Sequence, residues 1–267
     1  MKTLLHGSLF CALLFVACKK ESPPLLAENN SSVETEISVK YENTNKAVLF
    51  EFTSTGCPGC GSWGKPTVAA VSTTHGSKVV PIAVHIKYND PFLTDISQAI
   101  ADNRTGSRWT PQLWVDNENA TIINSSGYID GVASIAKMNE SISGKIQDTD
   151  LSLGAGFILE DKKITIKYGL KLTKASGEEY YLAAYLMENN LRNDQQGSLN
   201  NPVRHHSVIQ DAAYGAWGKK VKATGEAQTV EFEHTFVHDA SEDSYVTLVL
   251  WKRIGNRYTV VDASNFN

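Results

Sequence analysis

Cysteine is scarce in this 267-residue chain: there are four, and two of them, Cys11 and Cys18, fall in an apolar N-terminal segment. A small fold stapled by several disulfides is therefore excluded, and the body has one thiol pair, Cys57 and Cys60. Neither sign of charge dominates, with 25 Lys+Arg against 29 Asp+Glu and a net charge of −4. No basic field exists to gather phosphates, so nucleic acid is not an expected partner. Long apolar runs are missing too; the N-terminal one, from about Leu9 to Ala17, is too short to cross a membrane as a helix. Internal repeats and low-complexity blocks are absent beyond one tether, which excludes solenoid and fibrous architectures. What remains is a chain with 42% hydrophobic residues, enough for two modest domains with their own cores.

Lys2, the apolar run and small Ala17 before Cys18 read as a secretory signal over residues 1–17. The ending Leu14-Phe15-Val16-Ala17-Cys18 resembles a bacterial lipobox, with Phe15 in place of the usual Leu. That resemblance implies cleavage before Cys18, lipid on Cys18 and anchoring to a membrane. Residues 18–34 lack any hydrophobic period and are expected to be a flexible tether. Their opening, Lys19-Lys20-Glu21, is similar to the short signals that carry lipoproteins of Bacteroidetes-type bacteria to the outer surface. The expected location is the bacterial cell envelope, as an outer-membrane lipoprotein facing either the periplasm or the exterior; both are oxidising relative to cytosol.

Over residues 35–147 short apolar strands alternate with helical segments. Ala47-Val48-Leu49-Phe50-Glu51-Phe52 is a nearly continuous buried strand, and Val79–Ile86 is another. Between them a helix is expected from Cys57 to about Thr73, and a second opens after Thr94 as N-cap. Strand Gln112–Val115, a turn at Asp116–Asn119, strand Ala120–Asn124 and a helix carrying Val132, Ile135 and Ile142 complete this half. Such alternation predicts an α/β sandwich. Over residues 148–267 the period becomes two, as in Ile164/Ile166/Tyr168/Leu170 and Tyr245/Thr247/Val249/Trp251, with turns expected near Asp161, at 175–177 and at Gly255-Asn256. This predicts a separate all-β, immunoglobulin-like sandwich domain.

A lone Cys-x-x-Cys can chelate zinc, form a structural disulfide or run redox chemistry. Here Cys57-Pro58-Gly59-Cys60 follows a buried strand and opens a helix. At that position free backbone N–H groups and the positive dipole end lower a thiol pKa, which suits Cys57 as the attacking nucleophile and Cys60 as the resolving thiol. Pro58 in the first turn loses nothing by lacking an N–H. Glu51 lies six residues before Cys57, and Thr110-Pro111 precedes the strand Gln112–Val115. With these residues in this order, the chain over about 35–147 resembles the thioredoxin superfamily, with a spacing between Cys60 and Pro111 similar to its TlpA-like branch. The resemblance implies that Glu51 takes a proton from Cys60 and that Pro111 is a cis proline facing the disulfide. Thr110 and Trp109 beside it are expected to bind substrate. No cofactor and no metal ligand is implied. The Pro-Gly pair between the cysteines differs from the reductase type, so reductase, isomerase and oxidase stay open.

In the second half Arg204-His205-His206-Ser207 followed by Gly215-Ala216-Trp217-Gly218 is the densest polar-aromatic patch. Adjacent histidines on a strand point to opposite faces and do not readily share a metal. A thioredoxin-like half, an all-β half with such a motif and a lipoprotein signal together resemble the outer membrane protein 28 family of Bacteroidetes lipoproteins. Two functions follow as expectations. One is a lipid-anchored thiol–disulfide oxidoreductase whose substrates are protein thiols or disulfides, with an unidentified protein partner for the β-domain. The other is a non-catalytic surface binding or adhesion lipoprotein on a thioredoxin-like scaffold.

Overall fold

A computed structural model describes residues 36–267, apart from 44, 88, 146–149, 175–176 and 223–226. The calls on the signal, the tether and lipidated Cys18 lie outside the described residues, as does most of the turn expected at 175–177. The first half contributes β1 (Lys40–Glu42), β2 (Ala47–Thr53), a π turn at Cys60–Gly64 leading into α1 (Lys65–His75), and β3 (Val79–His85). It continues with α2 (Asp95–Asp102), β4 (Gln112–Val115), β5 (Glu118–Asn119) and α3 (Gly131–Ser143). Among the described residues the second half holds only strands. They are β6 (Leu151–Glu160), β7 (Lys163–Leu172), β8 (Glu179–Glu188), β9 (Leu191–Asn193) and β10 (Val203–His205). Then come β11 (Val208–Ala213), β12 (Lys219–Lys222), β13 (Gln228–Thr235), β14 (Ser244–Ile254) and β15 (Arg257–Phe266).

Local chemistry explains the boundaries. All seven residues of β2 are buried, as a parallel strand covered on both faces requires. Thr94 caps α2 in a reciprocal box with Ser97, and the Asp130 carboxylate accepts the Ala133 N–H at the start of α3. The strand expected over Ala120–Asn124 is instead the short β5, two residues earlier. Side chains break the ladder there: Asn119 Oδ1 takes the Thr121 N–H at 2.9 Å, and Thr121 Oγ1 takes the Leu113 N–H at 2.7 Å.

The strands do not divide into two separate domains, and this corrects the boundary expected near 147/148. A nine-stranded sheet runs in the order β15-β14-β8-β11-β3-β2-β4-β5, with β12 also on β8. β2 and β3 are parallel over seven residue pairs, and β11 joins the open edge of β3 through Val208 beside Ala83. In exchange β1 leaves the first half for a four-stranded sheet, β1-β6-β7-β13. One apolar cluster on one face of the large sheet contains Phe50, Phe52 and Val84 together with Tyr185, Met187 and Trp251. On the other face α1 and α3 cover Leu49, Val79 and Leu113, while the four-stranded sheet covers Leu182, Val246 and Leu248. A sandwich is present, then, but one of its two sheets is the continuation of the α/β sheet. The period changes near residue 148 because helices stop covering one face there; pairing across that point continues, and Glu36–Asn267 is one compact unit.

A shared core should melt as one. Leu248 is fully buried between the two sheets. Leu248→Ala is expected to cost about 3 kcal/mol and to lower a single calorimetric transition across the whole body. Two separated transitions, with only the later one shifted, would contradict the shared core.

Candidate functional site

β2 delivers the chain into the interior, and the turn Ser54–Gly56 brings Cys57 to the start of the helical segment, where its N–H bonds the Ser54 carbonyl at 3.1 Å. Cys57 and Cys60 are joined as a disulfide with Cα atoms 5.2 Å apart. The Cys60 N–H points at Cys57 Sγ over 3.2 Å. That is the contact which favours a thiolate on Cys57 once the bond is opened. The sulfurs, being bonded to one another, are not thiolate ligands in this state. The enclosure is greater than the sequence leads one to expect: Cys60 is fully buried and Cys57 is only 3% exposed.

Pro111 follows a cis peptide after Thr110. Two glycines let its ring settle against the Cys-x-x-Cys segment. A Cβ on Gly59 would lie 3.0 Å from Pro111 Cδ, and one on Gly64 would lie 3.1 Å from both Pro111 Cβ and Glu51 Oε1. Pro111 therefore packs on the segment that carries the cysteines, and Glu51 Oε1 reaches the same point at Gly64, four residues after Cys60. Glu51 is buried, and its Oε1 has no hydrogen-bond partner. Burial raises its pKa, against the lowering influence of Lys65, His85 and a bond from Thr53. Lys65, at the start of α1, is lowered by burial and held up in part by Glu51. Raising a carboxyl's pKa makes its ionised form a stronger base, which suits Glu51 to take up a proton.

Trp109, Thr110 and Pro111 line an open groove of about 730 Å³ with Gly59, Trp63 and Tyr128. The side chain of Tyr128 is 73% exposed there. Trp63, three residues after Cys60, and Trp109, far from it in sequence, thus reach the same groove. On the other side of α1 a hollow of about 620 Å³ is lined by Glu51, Lys65, Arg204 and His206 among others. His205 is buried while His206 is exposed, which is the opposite-face arrangement expected of neighbours on a strand.

Several site residues carry no motif in the sequence. Asp90, on the loop after β3, accepts the Thr55 N–H at 2.8 Å and so anchors the turn that presents Cys57. His85 Nδ1 lies 3.0 Å from the Asp90 carboxylate. Burial alone would raise Asp90, but the bonds from His85, Phe92 N–H and Thr55 N–H outweigh it and bring its pKa down to about 2. His205, brought in by β10 from the second half, lies with its Nδ1 3.4 Å from Lys65 Nζ and its ring 5.6 Å from that of His85. Burial first, then the charges of Lys65 and His85, pushes its pKa down to about 3 from an ordinary 6.5. Between those two values the unfolded chain binds a proton that the folded chain refuses, so stability falls as pH drops from 6.5 towards 3. The melting temperature is expected to decline on acidification across that window, with a shallower slope in His205→Gln. An identical slope in the variant would show that His205 is not the group responsible.

A disulfide at a helix start, a cis proline packed on the neighbouring glycines and a buried acid at Gly64, in a fold that is mostly β with three α-helices among the described residues, define the arrangement against which known proteins can be compared. Among solved structures, HBP35 of Porphyromonas gingivalis is similar, with a TM-score of 0.66 and 18% identity over 85% of this chain and 76% of that one. At that identity the likeness concerns the fold. No family model matches the sequence, and no curated protein matches it.

Proposed function

We propose that this chain is a thiol–disulfide oxidoreductase whose thioredoxin-like part, β2 to α3, forms one end of the continuous sheet, acting on protein thiols or disulfides outside the cytoplasm. The observation that carries the reading is the convergence of cis Pro111, Glu51 and the Cys57–Cys60 pair on Gly59 and Gly64. In the reducing direction the Cys57 thiolate attacks a substrate disulfide, forming a mixed disulfide and releasing one substrate thiolate. Glu51 accepts the Cys60 proton, and the Cys60 thiolate then attacks Cys57 Sγ. The Cys57–Cys60 bond closes, the second substrate thiol leaves, and two electrons have passed to the substrate. Run backwards, the same steps oxidise a dithiol. The groove of Trp109, Thr110 and Pro111 is the surface for an extended substrate segment. The fold-level likeness to a Bacteroidetes protein supports this reading. The lipobox-like Leu14–Cys18 supports placing the chain in the cell envelope, held at the membrane by lipid on Cys18.

A second reading is favoured by the burial of Cys57: the disulfide is a staple in a surface binding lipoprotein. One assay separates the two. Catalytic amounts of the soluble body with excess dithiothreitol should accelerate insulin-disulfide reduction, and the reduced Cys57 should titrate below the free-thiol value of about 8.5. Reduction no faster than by dithiothreitol alone leaves the staple.

A further inference from the structure

The loop that joins β9 to β10 lies across the disulfide. The two strands pair antiparallel, with Asn193 opposite Val203 and Leu191 opposite His205. The loop between them is tied internally: Asn201 Oδ1 accepts the Gln195 N–H at 2.9 Å, and Asn201 Nδ2 donates to the Gln195 carbonyl at 3.3 Å. Gln195 is fully buried although it stands in a polar surface loop. Its Nε2 lies 3.1 Å from each of the Ser54, Thr55 and Cys57 carbonyl oxygens, the three that frame the thiol turn. The Gln196 carbonyl lies 3.2 Å from the same Nε2, so the NH₂ shares its two hydrogens among four acceptors. The Gln196 N–H adds a bond to the Thr55 carbonyl at 2.8 Å. Two glycines allow the contact: a Cβ on Gly61 would collide with the Gln196 carbonyl oxygen, and one on Gly197 with that of Pro58.

We infer that residues 194–202 form a gate over the Cys57–Cys60 disulfide, latched by Gln195, which determines which reductants reach the sulfur. The inference rests on the oxidoreductase reading for its purpose, though the latch itself is a matter of access. The attacking sulfur of such a pair must meet a partner in line with the bond, yet Cys57 is 3% exposed under this loop. Reagents in solution must wait for the gate to lift, whereas a protein that engages the loop can lift it on docking. Gln195 acts through the turn and touches neither sulfur in its bonds, so it is a positioning residue.

The test uses the oxidised full chain and a water-soluble phosphine. The phosphorus lone pair attacks Sγ, the S–S bond breaks, one cysteine leaves as thiolate, and water releases the other as thiol while phosphorus becomes the oxide. Free thiols are counted by alkylation and intact mass. Gln195→Ala is expected to be reduced about tenfold faster than the native sequence, the loss of roughly one to two net hydrogen bonds. Gly197→Ala, at an exposed position with φ of +82°, lifts the loop without touching Gln195 and should accelerate reduction in the same direction. Below the unfolding transition these rates should be flat in urea, as local opening requires. Unchanged rates in both variants overturn the gate. So does a native rate that climbs with urea along the full unfolding slope, because the disulfide is then reached by global unfolding. Phosphine reduction needs no enzymatic activity: faster reduction with no insulin turnover upholds the gate and removes the oxidoreductase reading, and the converse removes only the gate.

Discussion

Cys57→Ser is expected to abolish turnover of protein disulfides, to the rate of the added dithiol alone, because serine cannot form the mixed disulfide through which both electrons pass. Cys60→Ser should fail differently. Cys57 still attacks, but no resolving thiol closes the cycle, so the variant accumulates as a covalent adduct with its substrate, visible as a mass increase that dithiothreitol removes. Both sulfurs are enclosed by the same turn, so the two variants should fold alike, and the contrast between a dead enzyme and a trapped one assigns the roles. Adducts forming equally on Cys60 in the Cys57→Ser chain would invert that assignment.

The second large effect concerns Glu51, and it runs in opposite directions for rate and stability. Glu51→Gln keeps the shape and removes the acceptor of the Cys60 proton; general-base loss of this kind is expected to slow resolution by about 10²-fold. The same change should raise the melting temperature. Burial, as the largest influence, holds the folded-state pKa of Glu51 above its unfolded value. The folded chain therefore keeps a proton that the unfolded chain gives up, and the stability linked to this group is present below the ordinary carboxylate value and lost as pH rises through the raised one. Glutamine has no charge to lose, so the variant should be the more stable at neutral and higher pH. A variant both slower and less stable would mean that the bond from Thr53 and the charges of Lys65 and His85 outweigh the cost of burying the carboxylate.

The thiol half of the site was legible because its parts are local. A strand, two cysteines one turn apart and a proline before the next strand each leave a signature within a few residues; in the structure Cys57 bonds Cys60, and Glu51 and Pro111 meet at Gly64. Gln195 left none. The stretch Asp194-Gln195-Gln196-Gly197-Ser198 reads as any exposed polar loop, and nothing periodic distinguishes a buried glutamine. Its role exists only once β9 and β10 pair and place it over a turn some 140 residues earlier. The same reason hid the continuity of the sheet. Alternation along β8, β11 and β14 reports which face each residue takes but not which strand lies alongside, so the change of pattern near residue 148 looked like a boundary.

The junction of β3 with β11 bears on how the chain is made. A growing polypeptide exposes β2 and β3 well before Val208 exists, so for that interval the free edge of β3 offers unpaired N–H and C=O groups to any neighbouring chain. Closing the edge must wait for a loop of more than a hundred residues to be spanned, a slow event next to local helix formation. The edge of β3 is thus the seam at which the two halves of the sequence become one sheet, and it is closed by a residue more than a hundred positions later in the chain.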